Sequence, residues 1–424
     1  MVSWTGFSKK APQDRWQVLA DSGLLTAQSL SDLTAQKLLS LETANQLAEN
    51  VIGRLALPMS LAPDFLVDDQ VYTLPMVTEE PSVVAAASYA AKLIKRSGGF
   101  KTQIHQRRMI GQVALADVPD HEDATAAILS VKEALLGVAD AAHPSIVKRG
   151  GGARDLWCET KGAFLIVYLS VDTQEAMGAN MVNTMMEALA PELEKLTQGT
   201  RLMAILSNYA TESLVTAQCQ VDLRFLSRNK AEAQVLARKM QEASELAQVD
   251  PYRASTHNKG IFNGIDALVL ATGNDWRAIE AGGHGYASTS GQYQGLSSWT
   301  VDQAAEKLIG RLTLPMPIAT KGGSIGLNPS VQLAHDLLGN PDAKTLASLC
   351  VSLGLAQNFA ALKALVSTGI QAGHMKLQAK SLALLAGASE QEAPRVVSQL
   401  LKAKHMNLDT AQTILKEQKN QPRD

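Results

Sequence analysis

The spacing of apolar positions changes several times along the chain, and the changes divide it. Residues 10–48 carry Leu and Ala at helical spacing, with Asp14, Ser22, Thr26, Ser31 and Thr43 as candidate N-caps or turns. A further helix opens over 78–87, where Pro81 suits a first helical position and Gly98-Gly99 suits an end. From 101 to 207 the period alternates: strand 102–116, helix 121–141, strands 154–160 and 163–171, helix 175–197, strand 200–207. That β-α-β-β-α-β order predicts a split, ferredoxin-like sandwich. A Rossmann fold is not indicated, because no Gly-x-Gly-x-x-Gly follows a strand. Beyond it the pattern reads strand 214–226, helix 229–248, a strand-rich stretch to about 320 and helices over 329–368.

The fold class expected is α+β. A large mixed helical and sheet domain comes in two parts, 1–106 and 208–368, with a small domain of 107–207 inserted and a small helical flap at 369–424. An octapeptide also recurs: Ile52-Gly53-Arg54-Leu55-Ala56-Leu57-Pro58-Met59 returns as Ile309-Gly310-Arg311-Leu312-Thr313-Leu314-Pro315-Met316. One repeated unit makes no solenoid. It predicts two similar helix-to-strand passages that bring 49–75 and 301–320 together. Glu49-Asn50-Val51-Ile52-Gly53 reads as a helix ending at Gly53 and turning into a strand.

Composition narrows the function classes. With 424 residues the chain has room for two or three domains. A net charge of −2 and a pI near 6.5 give no sign of a nucleic-acid or membrane-surface partner. Cys158, Cys219 and Cys350 are too scattered for a disulfide framework or zinc site, and the eight histidines form no metal pattern, so no metal is expected. The N-terminus lacks an apolar signal core, and the longest apolar run, 163–169, is of strand length. These features predict a soluble, cytoplasmic protein.

Candidate chemistry centres on residues 253–283. Lys259 sits in Asn-Lys-Gly and Asp275 in Gly-Asn-Asp, read as turns at either end of one amphipathic helix. Such turns are ordinary, since Asn, Asp and Gly tolerate left-handed backbone, yet the pair could also bring a cation and a carboxylate over a reacting carbonyl. Glu80, read at a helix N-terminus, is by position a capping carboxylate. His374 lies among glycines, Gly369 and Gly373, that would form a hinge. Gly282 to Tyr286 reads as a flexible turn, and 321–326 as a turn without Walker spacing. Met177, Met181 and Met185 fall at i, i+4, i+8, the spacing of core packing. Gly178 and Ala179 before them permit close backbone approach, and a helix N-terminus attracts phosphate.

Together these segments resemble the 3-hydroxy-3-methylglutaryl-coenzyme A reductase family, most closely its bacterial soluble class. The matching motifs are His257–Ile261 with Asn263-Gly264, Gly273–Ala278, Glu49–Gly53, the Glu80 segment, Gly354–Asn358, and Glu175-Ala176-Met177-Gly178-x-Asn180. The match runs in order from about 49 to 380. The resemblance implies catalytic Glu80, Lys259, Asp275 and His374, the last on a mobile flap. It implies substrate contacts from Ser82, Asn208, Arg253, Asn263 and Gln357. Asp155, Glu175 (where the family usually has aspartate), Met177, Gly178, Asn180 and Asn183 would contact the cofactor. NADH-preferring members carry an acidic residue a dozen positions before the matching aspartate. Here His143 stands there, with Lys148 and Arg149 nearby, which favours NADPH, with NADH as the alternative. The implied reaction is four-electron reduction of HMG-CoA to mevalonate and CoA, in the mevalonate route to isoprenoids, by a homodimer with active sites at the subunit interface. Two alternatives stay open: the same chemistry in reverse with NAD, and a non-enzymatic CoA-ester binding protein.

Overall fold

The computed structural model describes residues 2–367, 370–389 and 391–420, with the side chains of 370–377 and 420 left out. Three short helices, α1 (Pro12–Asp21), α2 (Ala27–Thr34) and α3 (Leu41–Leu47), begin the chain, followed by the hairpin β1 (Met59–Val67) and β2 (Gln70–Val77). Helix α4 (Val83–Arg96) leads into β3 (Phe100–Ile104). Next come β4 (Met109–Ala116), α5 (His121–Ser130), α6 (Lys132–Ala142), α7 (Pro144–Val147), β5 (Gly152–Lys161), β6 (Phe164–Asp172), α8 (Ala179–Thr197) and β7 (Thr200–Ser207). Then follow β8 (Leu214–Asp222), α9 (Lys230–Val249), α10 (Pro251–Ala271), α11 (Trp276–Tyr286), β9 (Ser297–Asp302), β10 (Lys307–Pro315), α12 (Pro329–Leu337) and α13 (Ala343–Val366). Helices α14 (Ile370–Leu385), α15 (Ala393–Leu400) and α16 (Leu408–Asn420) close the described chain.

The strands build two sheets in a mixed α+β architecture. One has six strands in the order β2-β1-β3-β8-β10-β9, antiparallel throughout except for the β1–β3 pair. The other has four antiparallel strands in the order β5-β6-β4-β7. Each sheet has its own apolar core. Helices α4, α9, α10 and α13 supply Ile94, Met240, Phe262 and Phe359 against the first; α5, α6 and α8 supply Ile128, Leu135, Met185 and Leu189 against the second. Helix α13 is long and apolar enough to cross a membrane by composition, but most of it is buried as the central helix of the first core. A third, small cluster joins α14–α16 through Ala383, Val396, Leu400 and Ile414.

Several boundaries differ from the sequence expectation. The strand expected over 102–116 is two strands in different sheets, divided at 105–108, because Arg107 is committed to backbone carbonyls between the sheets. The helix expected over 121–141 breaks at Val131, where φ is −115° and ψ is 20°. Helix α8 starts at Ala179, so Glu175–Gly178 lie in the preceding loop, with Gly178 as N-cap at φ +87°. Helix α4 starts at Val83, leaving Glu80 and Pro81 outside it.

The two copies of the octapeptide take different structures. The second is β10, paired on both sides, with Leu312 and Leu314 fully buried. The first is an irregular strap after α3, with Ile52 at 101% and Leu55 at 89% exposure. The expected helix end at Gly53 is absent, since α3 ends at Leu47 and β1 starts at Met59, but the two regions do share the six-stranded sheet, β1 and β2 toward one edge and β10 and β9 at the other. Almost the same octapeptide is a core strand in one place and a surface strap in the other, because burial by flanking strands decides which.

Candidate active site

Helix α10 is the platform of the site. Asp250 caps it by accepting from the amides of Tyr252 and Arg253, and Pro251 occupies its first position. It runs uninterrupted for 21 residues, so Lys259 lies inside a helix rather than on the turn that Asn-Lys-Gly predicts. Its buried stripe of Ile261, Ile265 and Leu268 decides that, outweighing two helix-weakening glycines, Gly260 and Gly264, of about 1 kcal/mol each. Close packing fixes the platform's depth. A Cβ on Gly264 would come within 3.2 Å of Gln357 Cβ on α13, and one on Gly354 within 2.8 Å of Ile265.

Lys259 Nζ donates to Glu80 Oε2 at 2.9 Å, joining residues far apart in sequence. Glu80 lies on the bend before α4, where its amide donates to Thr78 Oγ1. Ser82, the N-cap of α4, adopts a left-handed φ of +74°, a strained conformation for a residue with a Cβ. Lys259 is 60% and Glu80 37% exposed, so the pair is accessible to a substrate.

Asp275 is the N-cap of α11 and accepts from the amides of Arg277 and Ala278. Its carboxylate pairs with the Arg277 guanidinium at 3.1 Å, and the expected contact with Lys259 is not among the described hydrogen bonds. Burial pulls the Asp275 carboxyl upward, but Arg277 and the two amides outweigh it and hold it below the ordinary range. Residues 282–286, expected as a flexible turn, are the last part of α11. Their glycines serve packing: a Cβ on Gly283 would sit 2.4 Å from Phe262 Cζ, and one on Gly282 2.8 Å from the Asn208 carbonyl. That approach brings Asn208 beside α11.

Arg253 is half-buried, and burial lowers its pKa; it forms no ion pair among the described residues. Asn263 lies one turn beyond Lys259 on α10. Gln357, on α13, is 5% exposed with a buried Oε1 that has no partner among the described residues. An unpartnered buried amide oxygen calls for a donor from elsewhere. His374 falls within α14, and its side chain and residue 369 lie outside what the structure describes.

Sequence reading passed over the buried polar groups that hold this platform. His257 Nε2 lies 2.7 Å from Ser297 Oγ and 3.1 Å from Asn358 Nδ2, while Asn358 Oδ1 accepts from Trp299 Nε1 at 2.8 Å. Burial, aided by Arg253, pushes the His257 pKa down to about 3, so the ring is neutral and takes no part in acid catalysis near pH 7. Asn258 pins the strand-entry loop through Gln294 and Leu296. Asn274 pins Ala319 in both directions, at 2.7 and 3.0 Å. The available signal was an asparagine inside an otherwise apolar helix, as at Asn358.

On the second sheet, α8 is a 19-residue helix with no side-chain cap at its N-terminus, so its first amides are free for an anion. A Cβ on Gly178 would fall 2.5 Å from Thr173 Cγ2, so only glycine fits there. Asn180 is exposed and Met177 packs partly against the core. Asn183 Oδ1 accepts from Leu206 N at 2.8 Å, and Asp155 pairs with Lys132, whose hydrogen bond holds its carboxyl below the ordinary range. His143 lies at the C-terminus of α6 with Nδ1 3.2 Å from Ser145 Oγ, and Lys148 and Arg149 beside it are exposed. The Glu175 carboxylate is held by Thr320 Oγ1 at 2.5 Å and Ala343 N at 2.8 Å.

A solvent-accessible lysine–glutamate pair, an arginine on the same helix with no ion-pair partner among the described residues, and an uncapped glycine-led helix on a second sheet make a constellation consistent with an oxidoreductase. The hydroxymethylglutaryl-coenzyme A reductase family model matches residues 11–379. The 3-hydroxy-3-methylglutaryl-coenzyme A reductase of Archaeoglobus fulgidus is 40% identical over 97% of this chain and 93% of its own. A probable reductase of the same name from Borreliella burgdorferi is 34% identical over 79% of this chain and 77% of its own. The structure of the Streptococcus pneumoniae reductase superposes with a TM-score of 0.86 at 62% identity, covering 98% of this chain and all of that one. A class II structure from the same organism, bound to NADPH in open conformations, gives 0.85 at 62% identity over 86% of this chain and all of its own. The chain belongs to the hydroxymethylglutaryl-coenzyme A reductase family, and it is an enzyme rather than a binding protein on a decayed scaffold.

Proposed function

We propose that the protein reduces the thioester of HMG-CoA to the alcohol of mevalonate, releasing CoA and consuming two NADPH. The observation that carries this reading is the Lys259–Glu80 ion pair, open to solvent, on the helix that also carries the half-buried Arg253. Arg253, a planar fork without an ion-pair partner among the described residues, suits the free carboxylate of the substrate. Ser82, Asn208, Asn263 and Gln357 complete the substrate set, and the orphan Gln357 Oε1 offers an acceptor.

The cofactor fits the four-stranded layer. Its diphosphate would lie on the uncapped N-terminus of α8, where Gly178 leaves room for it, with Met177, Asn180 and Asn183 around it. Lys148 and Arg149 offer cations to a 2′-phosphate, with His143 where NADH-preferring members carry an acidic residue; Asp155 lies on β5 beyond them. When bound, NADPH supplies the reducing equivalents of both halves of the reaction.

The chain's own groups manage charge and protons. Lys259 stabilises the oxyanion that develops at the thioester carbonyl. Glu80, hydrogen-bonded to Lys259, moves the proton that neutralises it. His374 is the proposed acid for the departing CoA thiolate, since an unperturbed imidazole titrates near 6.5 and a thiol near 8.5. Asp275, in an assembled site, would keep the lysine cationic and raise the glutamate pKa by its charge. Because Lys259 Nζ and Glu80 Oε2 share one hydrogen bond, the second proton, delivered to the aldehyde-level oxygen, is assigned to the pair rather than to one residue.

In this reading residues 1–106 and 208–368 form the substrate domain, 107–207 a ferredoxin-like cofactor domain, and 369–424 a flap that carries His374. The 2-3-1-4 strand order of the four-stranded sheet supports the middle assignment. The exposed strap around Ile52 and Leu55 supports a homodimer that buries it. The setting is cytoplasmic.

Absorbance at 340 nm, with CoA thiol counted in parallel, tests the reading. Two NADPH per thiol are expected, with kcat for Lys259→Ala lower by at least about 10²-fold. No NADPH consumption by folded wild-type protein, or an unimpaired Lys259→Ala, would sink it.

A further inference from the structure

Glu175 opens the loop that leads into α8, but its side chain turns to the other sheet. Its carboxylate accepts from Thr320 Oγ1, beyond β10, and from Ala343 N, the first residue of α13. Its carbonyl accepts from Thr320 N at 3.0 Å and Lys321 N at 3.4 Å. Ala343 N belongs to the free amides at the positive end of a 24-residue helix, a favourable place for a carboxylate. Arg107 clasps the same loop from the crossing between the sheets. Its guanidinium donates to the carbonyls of Gln174, Ala176 and Ile318 at 2.8, 3.1 and 2.8 Å. Burial pulls the Arg107 pKa down, opposed by the carboxylates of Glu175, Asp172 and Asp342.

The segment that receives these contacts continues to the substrate side. Ala319, between Ile318 and Thr320, is gripped through both backbone groups by Asn274, next to Asp275. An unbroken run of hydrogen bonds therefore links the loop before α8 to the cap of α11 and to the N-terminus of α13, the helix that carries Gln357.

We propose that Glu175 and Arg107 are positioning residues that lock the cofactor-binding helix end at a fixed place relative to Lys259 and Gln357, and that Glu175 is not a cofactor ligand. The proposal rests on the NADPH-dependent reading above. Hydride transfer is steep in distance, and a misplacement of about 1 Å can cost about 10²-fold in rate. If the clasp acts through position alone, its loss should lower kcat and leave cofactor affinity alone.

The test uses Glu175→Ala, Thr320→Val, the double variant and Glu175→Gln in the full-length protein. NADPH Kd is read by direct fluorescence titration and kcat at 340 nm. For Glu175→Ala we expect Kd within about threefold of wild type and kcat lower by about tenfold or more. Thr320→Val should lower kcat less, and the double variant should be no worse than Glu175→Ala, because one interaction cannot be lost twice. Glu175→Gln, which keeps an acceptor oxygen, should recover most of the rate. A Kd weakened tenfold at unchanged kcat would make Glu175 a cofactor contact and overturn the proposal; so would effects that multiply in full. If Glu175→Ala does not fold, the milder Thr320→Val and Glu175→Gln read the same contacts. Wild-type protein that consumes no NADPH refutes the proposed function instead. The clasp is then read by hydrogen exchange of the Ala343 amide, slow in wild type and fast in Glu175→Ala, and equal rates would refute it.

Discussion

At the scale of single residues, two buried ionisable groups set opposite pH dependences. His257 is held neutral, with its pKa pushed down to about 3 by burial and Arg253. Unfolded, the ring titrates near 6.5, so below that pH the unfolded chain binds the extra proton and stability falls as pH falls, by at most about 1.4 kcal/mol per unit. Asp266, on α10, is pushed well above the ordinary carboxylate range by burial and by Glu280 on α11, which also hydrogen-bonds it. It stays protonated in the fold, so its contribution is lost as pH rises above about 4. Between about 4 and 6.5 the two oppose each other. We therefore expect a shallow Tm profile in wild type over that range. Asp266→Asn should make Tm rise with pH there, and His257→Asn should make it fall; scanning calorimetry at stepped pH decides, and parallel profiles would refute the assignment. His143 carries a functional prediction: His143→Asp should shift the ratio of kcat/KM for NADPH over NADH toward NADH by at least about tenfold, since a carboxylate accepts from a free 2′-hydroxyl and repels a 2′-phosphate.

At the scale of elements, glycine inside helices marks where the helices meet. Gly283 of α11 faces Phe262 of α10 so closely that an added Cβ would lie only 2.4 Å from Cζ, whereas Gly137 of α6 has open space around it. Replacing a helical glycine by alanine gains about 1 kcal/mol of propensity, but overpacking costs about 1–3 kcal/mol. The balance differs between the two sites. Gly137→Ala should raise Tm. Gly283→Ala should lower Tm and also kcat, because α11 carries Asp275 at its N-cap. Equal Tm shifts for the two variants would show that the α10–α11 contact is not close-packed. The same competition explains why Asn258-Lys259-Gly260 is helical despite its turn composition: buried neighbours on either side of the tripeptide hold the helix through it.

For the whole molecule, the apolar strap after α3 is the feature that one chain leaves unsatisfied. Ile52 and Leu55 are almost wholly exposed, and Leu57 partly so. A monomer gains nothing by displaying them, and a second subunit would. Substituting Ile52→Asp with Leu55→Asp should leave the fold intact by circular dichroism, convert the protein to a monomer in sedimentation velocity and abolish turnover. An unchanged dimer, or a fully active monomer, would rule out this strap as the interface.

The sequence by itself determined the α+β class, most helices beyond residue 229, the four strands from 152 to 222 with a strand-rich stretch up to about 320, and, through short polar motifs, the family. Periodicity and capping are local, and those elements bury a face that their own pattern declares. Only tertiary structure decided the rest. It split 102–116 between two sheets and gave one octapeptide two fates. It drew Lys259 into a helix, joined it to Glu80, and turned Glu175 away from the loop it begins. Each of these depends on what a distant segment offers: a flanking strand, a carbonyl for Arg107, a helix end for a carboxylate. No local pattern carries that information, because these side-chain partners lie 67 to 211 residues away and are met only when the chain has folded.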